Sequence, residues 1–558
     1  MLLSRLAAVA AVFGLATCNA VSVNALRDHE RPNIVFIFSD DHSTAAISAY
    51  GSRINQTPHL DRIAAEGMLF ENTFCTNGIC APSRAVILTG KHSHLNSVPT
   101  NAERFDGSQT TFPKLLQAAD YQTALVGKWH LKSDPTGFDF WRVLPGQGEY
   151  YSPDFLTPEG RKRYEGYCTD VTTDFGLEWL DGRDKDKPFC LMLQHKAPHR
   201  SWMPGPDHLT LFDGEWIPEP DTLFDDYTTR GTPARVQEMT ISDHMYLHYD
   251  LQVPPTEEEA RDLKGPDRAY ERLLDRMTPE QRAAWDAAYA PKNAAFREAE
   301  LEGADLVRWK YQRYIKNYLR CIQSIDDNVG RVLDYLEENG LAENTIVIYS
   351  SDQGFYLGEH GWYDKRLAHE ESQRLPLILA HPSLVAAGAR PRELALSIDV
   401  APTILELAGL GGAAQLKDMD GRSLAPLLRP ASGGGAPWRN RKAVYYRYWR
   451  DPAMEKLRSK GKRRRATIAA HVALRSEALK LILYDGLLPG CAAAKRRGAA
   501  RLERCVELFD LAADPGESTN LASRRPRVVR EMLRELLRVM GEVGDALPPE
   551  ASTLLRAA

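Results

Sequence analysis

Apolar and polar positions along this chain fall into short β-rich runs separated by longer amphipathic stretches. The clearest run is Asn33-Ile34-Val35-Phe36-Ile37-Phe38-Ser39, apolar at almost every position, which predicts a strand covered on both faces. It ends in Asp40-Asp41, and the carboxyl ends of parallel strands are where an α/β sheet puts its chemistry. Further strands are predicted over 123–126, 189–194, 345–350 and 376–379, with helical patterns such as 311–338 between them. Strands alternating with helices predict an α/β fold built on a mostly parallel sheet sandwiched by helices.

Two stretches break this rhythm. Residues 215–303 are polar, charged and punctuated by proline, with helical patterning near 279–290, and read as an insertion over the rim of the sheet. Around 430–437 the run Ala-Ser-Gly-Gly-Gly-Ala reads as a linker. Beyond it, short strand-like runs at 442–448, 471–475 and 480–484 precede a helical pattern at 527–543. The expected division is therefore a leader over 1–20, a main body over 21–430, and a smaller C-terminal subdomain over 431–558 containing an antiparallel sheet.

The leader reading rests on Arg5, an apolar run over 6–15 and small residues ending at Cys18-Asn19-Ala20, a pattern of export and cleavage. That run is too short to span a bilayer, and no later segment has the uninterrupted apolar length of a transmembrane helix. The expected location is secreted or periplasmic; Leu15-Ala16-Thr17-Cys18 also admits an imperfect lipobox with lipid attached at Cys18. At 558 residues and 43% hydrophobic the chain can bury a large core. Its net charge of -5 provides no basic field, so nucleic acid is not an expected partner, and an anionic substrate would need a local cluster of cations. The basic run 456–465 reads as a solvated loop.

Of the 8 cysteines, Cys491 and Cys505 flank a short basic stretch and form the candidate disulfide. Cys190 and Cys321 lie in apolar surroundings and read as buried thiols. Asp40, Asp41, Asp352 and Gln353 all follow strong strands. Together they offer hard oxygen ligands suited to Ca²⁺, or to Mg²⁺, rather than to a thiophilic metal. Aspartate also ends strands for purely local reasons, so either pair alone carries little weight.

The decisive stretch is Cys80-Ala81-Pro82-Ser83-Arg84, continued to Leu88-Thr89-Gly90. Read as Cys-x-Pro-Ser-Arg-x-x-x-Leu-Thr-Gly, it resembles the signature of the type I, formylglycine-dependent sulfatases. Other segments resemble the same family. They are Tyr121 through Gly127-Lys128-Trp129-His130, with Asp120 where glycine is common; Ala197-Pro198-His199; Ser351-Asp352-Gln353-Gly354 on to Lys365; and the C-terminal Glu507-Leu508-Phe509-Asp510-Leu511 run.

The resemblance implies an alkaline-phosphatase-like α/β sandwich. It also implies oxidation of Cys80 to formylglycine by a formylglycine-generating or anaerobic sulfatase-maturating enzyme. One hydroxyl of the aldehyde hydrate then attacks sulfur, with Asp40, Asp41, Asp352, Gln353 and the modified Cys80 around the cation. By the same resemblance Arg84 and Lys128 orient the hydrate, His199 or Lys365 protonates the leaving alcohol, and His130 takes the proton that regenerates the aldehyde. Gln353 departs from the family, where many members carry asparagine.

His195 reads as packing or as a neighbour of the site, and His360 as either pocket-lining or structural. The surroundings of Asp352 and His199 resemble exported bacterial glycan sulfatases, those acting on N-acetylglucosamine-6-sulfate above all, which implies a sulfated carbohydrate substrate. Arg200 and Trp202 could meet a sugar or an acidic group, or simply pack. Two other readings stay open: a phosphonate or phosphate ester hydrolase of the same superfamily, and a catalytically inactive glycan-binding relative.

Overall fold

The apolar run Asn33–Ser39 becomes the middle strand of a nine-stranded sheet, and the alternation of its side chains divides the core in two. Ile34, Phe36 and Phe38 pack with Ala85 and Leu88 of the helix Cys80–Thr89, with Leu116 of Phe112–Ala118 and with Ile404 of Val400–Leu407. Val35 and Ile37 pack on the other face, among Ile63, Phe175 and Ile322 from the helices Pro58–Glu66, Cys168–Gly182 and Gly303–Glu338. Each such fully buried Val, Ile or Phe contributes roughly 1.5–3 kcal/mol of hydrophobic stabilisation. The computed structural model describes residues 31–428, 438–449, 468–484 and 505–546.

Across the sheet the order is Met68–Leu69, Leu377–Ala380, Thr345–Ser351, Asn33–Ser39, Phe189–Gln194, Gln122–Lys128, Phe140–Leu144, Asp154–Thr157 and Gly160–Arg163. The five strands from Thr345–Ser351 to Phe140–Leu144 are parallel, and the outer strands on both sides run antiparallel. The sheet is thus mixed, with a parallel heart. The edge strand Gly160–Arg163 is exposed and basic, and Arg161 and Arg163 both reach Asp154, a charged edge of the kind that resists further pairing.

Register matters most for chemistry. Ser39 stands opposite Ser351, Phe38 opposite Gln194, and Gly127 opposite Gln194, so four parallel strands end at one level. Asp40, Lys128, His195 and Asp352 leave the sheet there together.

Residues 215–303 add no strand to these sheets; their longest helix, Pro279–Ala299, opens with a capping box between Thr278 and Gln281. In the C-terminal part, Ala443–Tyr448, His471–Ser476, Leu479–Tyr484 and Val506–Asp510 form a separate antiparallel sheet. One face takes Val529, Leu533 and Leu536 of the helix Pro526–Glu542, while Ala473, Ile482 and Phe509 on the other join the main core. Cys190 and Cys321 are buried free thiols as expected, but so are Cys75 and Cys168. Cys505 is disulfide-bonded. Its candidate partner Cys491, the leader with Cys18, the linker and the basic run 456–465 lie outside the described residues.

Candidate active site

Local backbone geometry explains how the strand ends become a site. At Gly127, φ is +107°, and a Cβ there would stand 2.0 Å from the carbonyl oxygen of Gln194, so glycine is required for Lys128 to emerge beside the neighbouring strand. Asp41 has φ 70°, a left-handed conformation that aspartate tolerates better than most residues. Its amide donates to Asp352 Oδ1 at 3.0 Å, tying the two acidic strand ends together.

Cys80 is the first residue of the helix Cys80–Thr89 and is 1% exposed. No side chain caps that helix from Ile79, and the Ala81 amide donates to Asn101 Oδ1 at 3.0 Å. Cys80 Sγ, one Asp40 oxygen and one His199 nitrogen lie within 4.8 Å of one another. Burial pushes the thiol up to about 12, against the pull of Lys128 and Lys365. The cysteine as encoded therefore stays protonated at neutral pH, a poor nucleophile in a well-built position.

Cations surround it. Arg84, one turn along the same helix, donates through Nη1 to the Lys128 carbonyl at 2.6 Å and to Gln194 Oε1 at 2.8 Å, and through Nη2 to Asp352 Oδ2 at 3.2 Å. Its guanidinium sits 5.0 Å from the Phe38 ring centroid. Lys128 Nζ donates to Asp40 Oδ2, and Lys365 Nζ donates to Asp41 Oδ2 at 2.6 Å. Burial works against the Lys365 charge, but Asp41 outweighs it and raises its pKa.

The two histidines behave as neutral groups. His199 Nδ1 is 2.6 Å from the Arg200 carbonyl, an acceptor that requires Nδ1–H and leaves Nε2 as a lone pair 3.8 Å from Asp41 Oδ2. Burial, then the Lys128 charge, holds His199 well below the usual imidazole range. His130, with φ 55°, is lowered to about 2 by the same two causes in the same order, and its Nδ1 is buried without a hydrogen-bond partner.

The three carboxylates converge, each with one of the three cations within ion-pair distance: Asp40 with Lys128, Asp41 with Lys365 and Asp352 with Arg84. Oxygens of Asp40, Asp41 and Asp352 lie within 4.8 Å of one another, all buried. Gln353 Nε2 donates to Asp41 Oδ1 at 2.5 Å and to Asp352 Oδ1 at 2.8 Å. Burial and then the neighbouring Asp40 drive Asp352 far above the usual carboxylate range. Burial also works against the Asp40 charge, yet the Lys128 and Arg84 charges outweigh it and hold Asp40 well below that range. Asp40 Oδ1 and Gln353 Oε1 are both buried with no hydrogen-bond partner. Orphaned hard oxygens beside three carboxylates fit a calcium- or magnesium-like cation, and the longer Gln353 side chain reaches the cluster.

All of the residues singled out from the sequence motifs, namely Asp40, Asp41, Cys80, Arg84, Lys128, His130, His199, Asp352, Gln353 and Lys365, therefore meet at one end of the sheet. Others do not. Trp202 is fully buried against Tyr314, Phe355 and Tyr363, so its role is packing and not sugar contact. Arg200 is paired with Asp250, its Nε 3.0 Å from Oδ1. His360 belongs to a different buried cluster, with Nδ1 3.1 Å from Arg230 Nη1. His195 is buried and lowered to about 4 by burial, consistent with packing.

Sequence reasoning missed three contributors. Gln194 orients Arg84, Ser83 Oγ donates to the Asp352 carbonyl, and Tyr318 Oη donates to the Asp41 carbonyl at 2.7 Å. The position of Gln194 at a strand end was a usable signal; Tyr318, a helix residue 277 positions from Asp41, carried none.

Comparison with known proteins gives the same direction. A family model described as Sulfatase matches residues 32–410, and one described as N-sulphoglucosamine sulphohydrolase, C-terminal, matches 358–487. The chain is 42% identical to an N-acetylglucosamine-6-O-sulfatase of Bacteroides thetaiotaomicron, over 94% of this chain and 89% of that protein. It is 27% identical to human N-acetylglucosamine-6-sulfatase, over 75% of this chain and 67% of the relative. A protein solved in complex with its substrate D-glucosamine-2-N,6-O-disulfate superposes with a TM-score of 0.83 at 41% identity, covering 93% of this chain and 99% of that one.

Proposed function

The chain belongs to the sulfatase family, and from that premise we propose that it hydrolyses sulfate esters on glycans, taking the 6-O-sulfate of a glucosamine unit as its substrate. The observation that carries the reading is Cys80 at the start of its helix, within reach of Asp40 and His199 and ringed by Arg84, Lys128 and Lys365. The choice of sugar is supported by the 42% identical relative and by the substrate bound in the solved neighbour.

Oxidation of Cys80 to formylglycine by a maturating enzyme would supply the nucleophile, as an aldehyde hydrate in place of a thiol held protonated near pKa 12. A Ca²⁺ or Mg²⁺ ion held by Asp40, Asp41, Asp352 and Gln353 would supply charge against the sulfate oxygens and lower the proton affinity of that nucleophile. The chain's own residues do the rest. Arg84 is fixed by Gln194 and the Lys128 carbonyl, so its position costs little reorganisation when an anion arrives. Lys128 and Lys365 bring positive charge to opposite carboxylates, Asp40 and Asp41. Proton acceptance falls to His130, whose Nδ1 has no hydrogen-bond partner, once an entering anion raises the proton affinity that burial and then Lys128 hold down. Protonation of the leaving alcohol falls to Lys365, already charged, or to His199 once an entering anion raises its proton affinity.

Export is supported by the leader pattern over 1–20, and among the described residues no helix is long and apolar enough to cross a membrane. Sulfate release from 6-O-sulfated N-acetylglucosamine, from isomers sulfated elsewhere and from a matched phosphate ester tests the reading. The 6-O-sulfate is expected to turn over fastest by a wide margin. Faster cleavage of the phosphate ester would move the protein to the phosphohydrolase reading, and tight sugar binding without release would make it an inactive binder.

A further inference from the structure

A second cavity, of about 370 Å³, opens on the far side of the helix Gly303–Glu338 from the active site. Trp309, Gln312, Arg313, Lys316 and Arg320 line it from a single face of that helix, at spacings of three, four, seven and eleven residues from Trp309. Tyr314 and Tyr318, which donate to the carbonyls of Tyr356 and Asp41, occupy the opposite face. Asp213, Trp216 and Lys292 close the cavity, whose volume is that of a small-ligand site.

Its charges do not balance. Four cations share one carboxylate, and Asp213 is already engaged by Lys292 at 2.8 Å and Arg320 at 2.5 Å. Arg313 and Lys316 are left with no carboxylate within ion-pair distance among the described residues. Arg313 is 7% exposed, and its one hydrogen bond is a long one, 3.4 Å from Nη1 to the Leu251 carbonyl. Burial lowers the Arg313 guanidinium to about 10, and burial with the nearby Arg320 and Arg313 charges brings Lys292 to about 8. The Arg313 guanidinium also lies over the Tyr289 and Trp309 rings, 5.4 and 5.2 Å from their centroids, which offsets part of its burial but supplies no counter-charge, and an anion would complete it.

The remaining feature is an exposed indole. Trp216 is 63% exposed, the most exposed large apolar side chain among the described residues, and no other ring packs against it there. An aromatic face beside unpaired cations recognises a ring that is apolar on one side and carries anionic substituents, which is the chemistry of a sulfated sugar.

We propose that this cavity is a second glycan-binding site, holding a sulfated sugar unit of a polysaccharide with a sulfate against Arg313 and Lys316 and the ring on Trp216. It would keep the enzyme on a polymeric substrate between cleavage events at Cys80. The inference stands on the cavity itself and does not depend on what Cys80 does.

The test is native gel electrophoresis of the Cys80→Ala protein through gels containing heparin, chondroitin sulfate, neutral dextran or inorganic polyphosphate. Retardation by a sulfated polysaccharide is expected, and the added pair Trp216→Ala and Lys316→Ala should weaken it about tenfold. In the protein that keeps Cys80, the same pair should leave kcat/KM for a sulfated monosaccharide unchanged, which also reports an intact fold. Retardation that the pair does not alter, or that dextran or polyphosphate matches, would overturn the proposal.

Discussion

Two buried charge clusters flank the segment 352–372, and they differ in how closely their acids converge. At the ends of the parallel strands, three carboxylates crowd together and leave Asp40 Oδ1 and Gln353 Oε1 unsatisfied. In the seam beneath the C-terminal sheet, four acids meet three bases, most of them brought together from distant parts of the chain. Lys480 meets Glu517 at 2.9 Å and Glu370 at 2.8 Å, Arg475 meets Glu370 at 3.2 Å, and Arg230 lies 3.6 Å from Glu507 and 3.5 Å from Asp225. The seam joins two parts of the chain; the strand-end cluster gathers the residues of the candidate active site. Histidine occurs in both, so its presence alone does not mark a site; among the described residues, three carboxylates with oxygens within 4.8 Å of one another occur only at the strand ends.

That contrast is open to direct attack. Asp352→Asn removes one of three repelling carboxylates, so sulfate release should fall by roughly 10³-fold or more while the metal-free melting temperature holds or rises. A lowered melting temperature would mean that this cluster is a structural ion-pair network after all.

Arg230→Met should do the reverse. Breaking a buried pair costs about 3–5 kcal/mol, visible in urea unfolding, while kcat per folded molecule stays within a factor of about two. A large fall in kcat with unchanged stability would put the seam in the catalytic machinery.

A finer division lies inside the site. Removing the group that protonates the leaving oxygen should cost about 10²-fold on a sugar sulfate and far less on an aryl sulfate, whose phenolate leaves without help. Comparing His199→Ala with Lys365→Ala on both substrates identifies the acid; equal losses on the two esters from both variants would assign them to anion binding alone.

The smallest effect concerns acid stability. Burial opposes the Glu370 charge, but Lys480 and Arg475 outweigh it and hold its pKa at about 2, below the 4.5 of a free glutamate. A depressed carboxylate contributes stability that is complete above pH 4.5 and lost as pH falls toward 2. Thermal melts of Glu370→Gln should therefore lack the part of that loss which the wild type shows. Parallel curves would remove Glu370 from the account.

The active site was legible in the sequence chiefly through the Cys80 motif and the segments that resemble the same family, with two of its aspartates at the ends of strands that declare themselves. Asn33–Ser39 and Thr345–Ser351 are apolar runs whose ends carry Asp40 and Asp352, but those aspartates gained weight only beside the Cys80 motif and the family resemblance. What stayed hidden depends on tertiary partners. Trp202 looks like a sugar platform beside His199 until Tyr314 and Phe355 cover it, and His360 looks like a site residue until Arg230 and Asp225 claim it. Edge strands such as Asp154–Thr157 and Gly160–Arg163 are too short and polar to stand out, and Tyr318 reaches Asp41 only because a 36-residue helix crosses the strand ends.

The central claim is that Cys80 works as a formylglycine and not as a thiol. Protein exported from a host carrying the maturating enzyme should give a peptide spanning Cys80 at the mass of the aldehyde, and Cys80→Ala, folded and bearing the same cation ligands, should release no sulfate from the 6-O-sulfated sugar. An unmodified Cys80 in fully active protein, or full activity in the alanine variant, would contradict it.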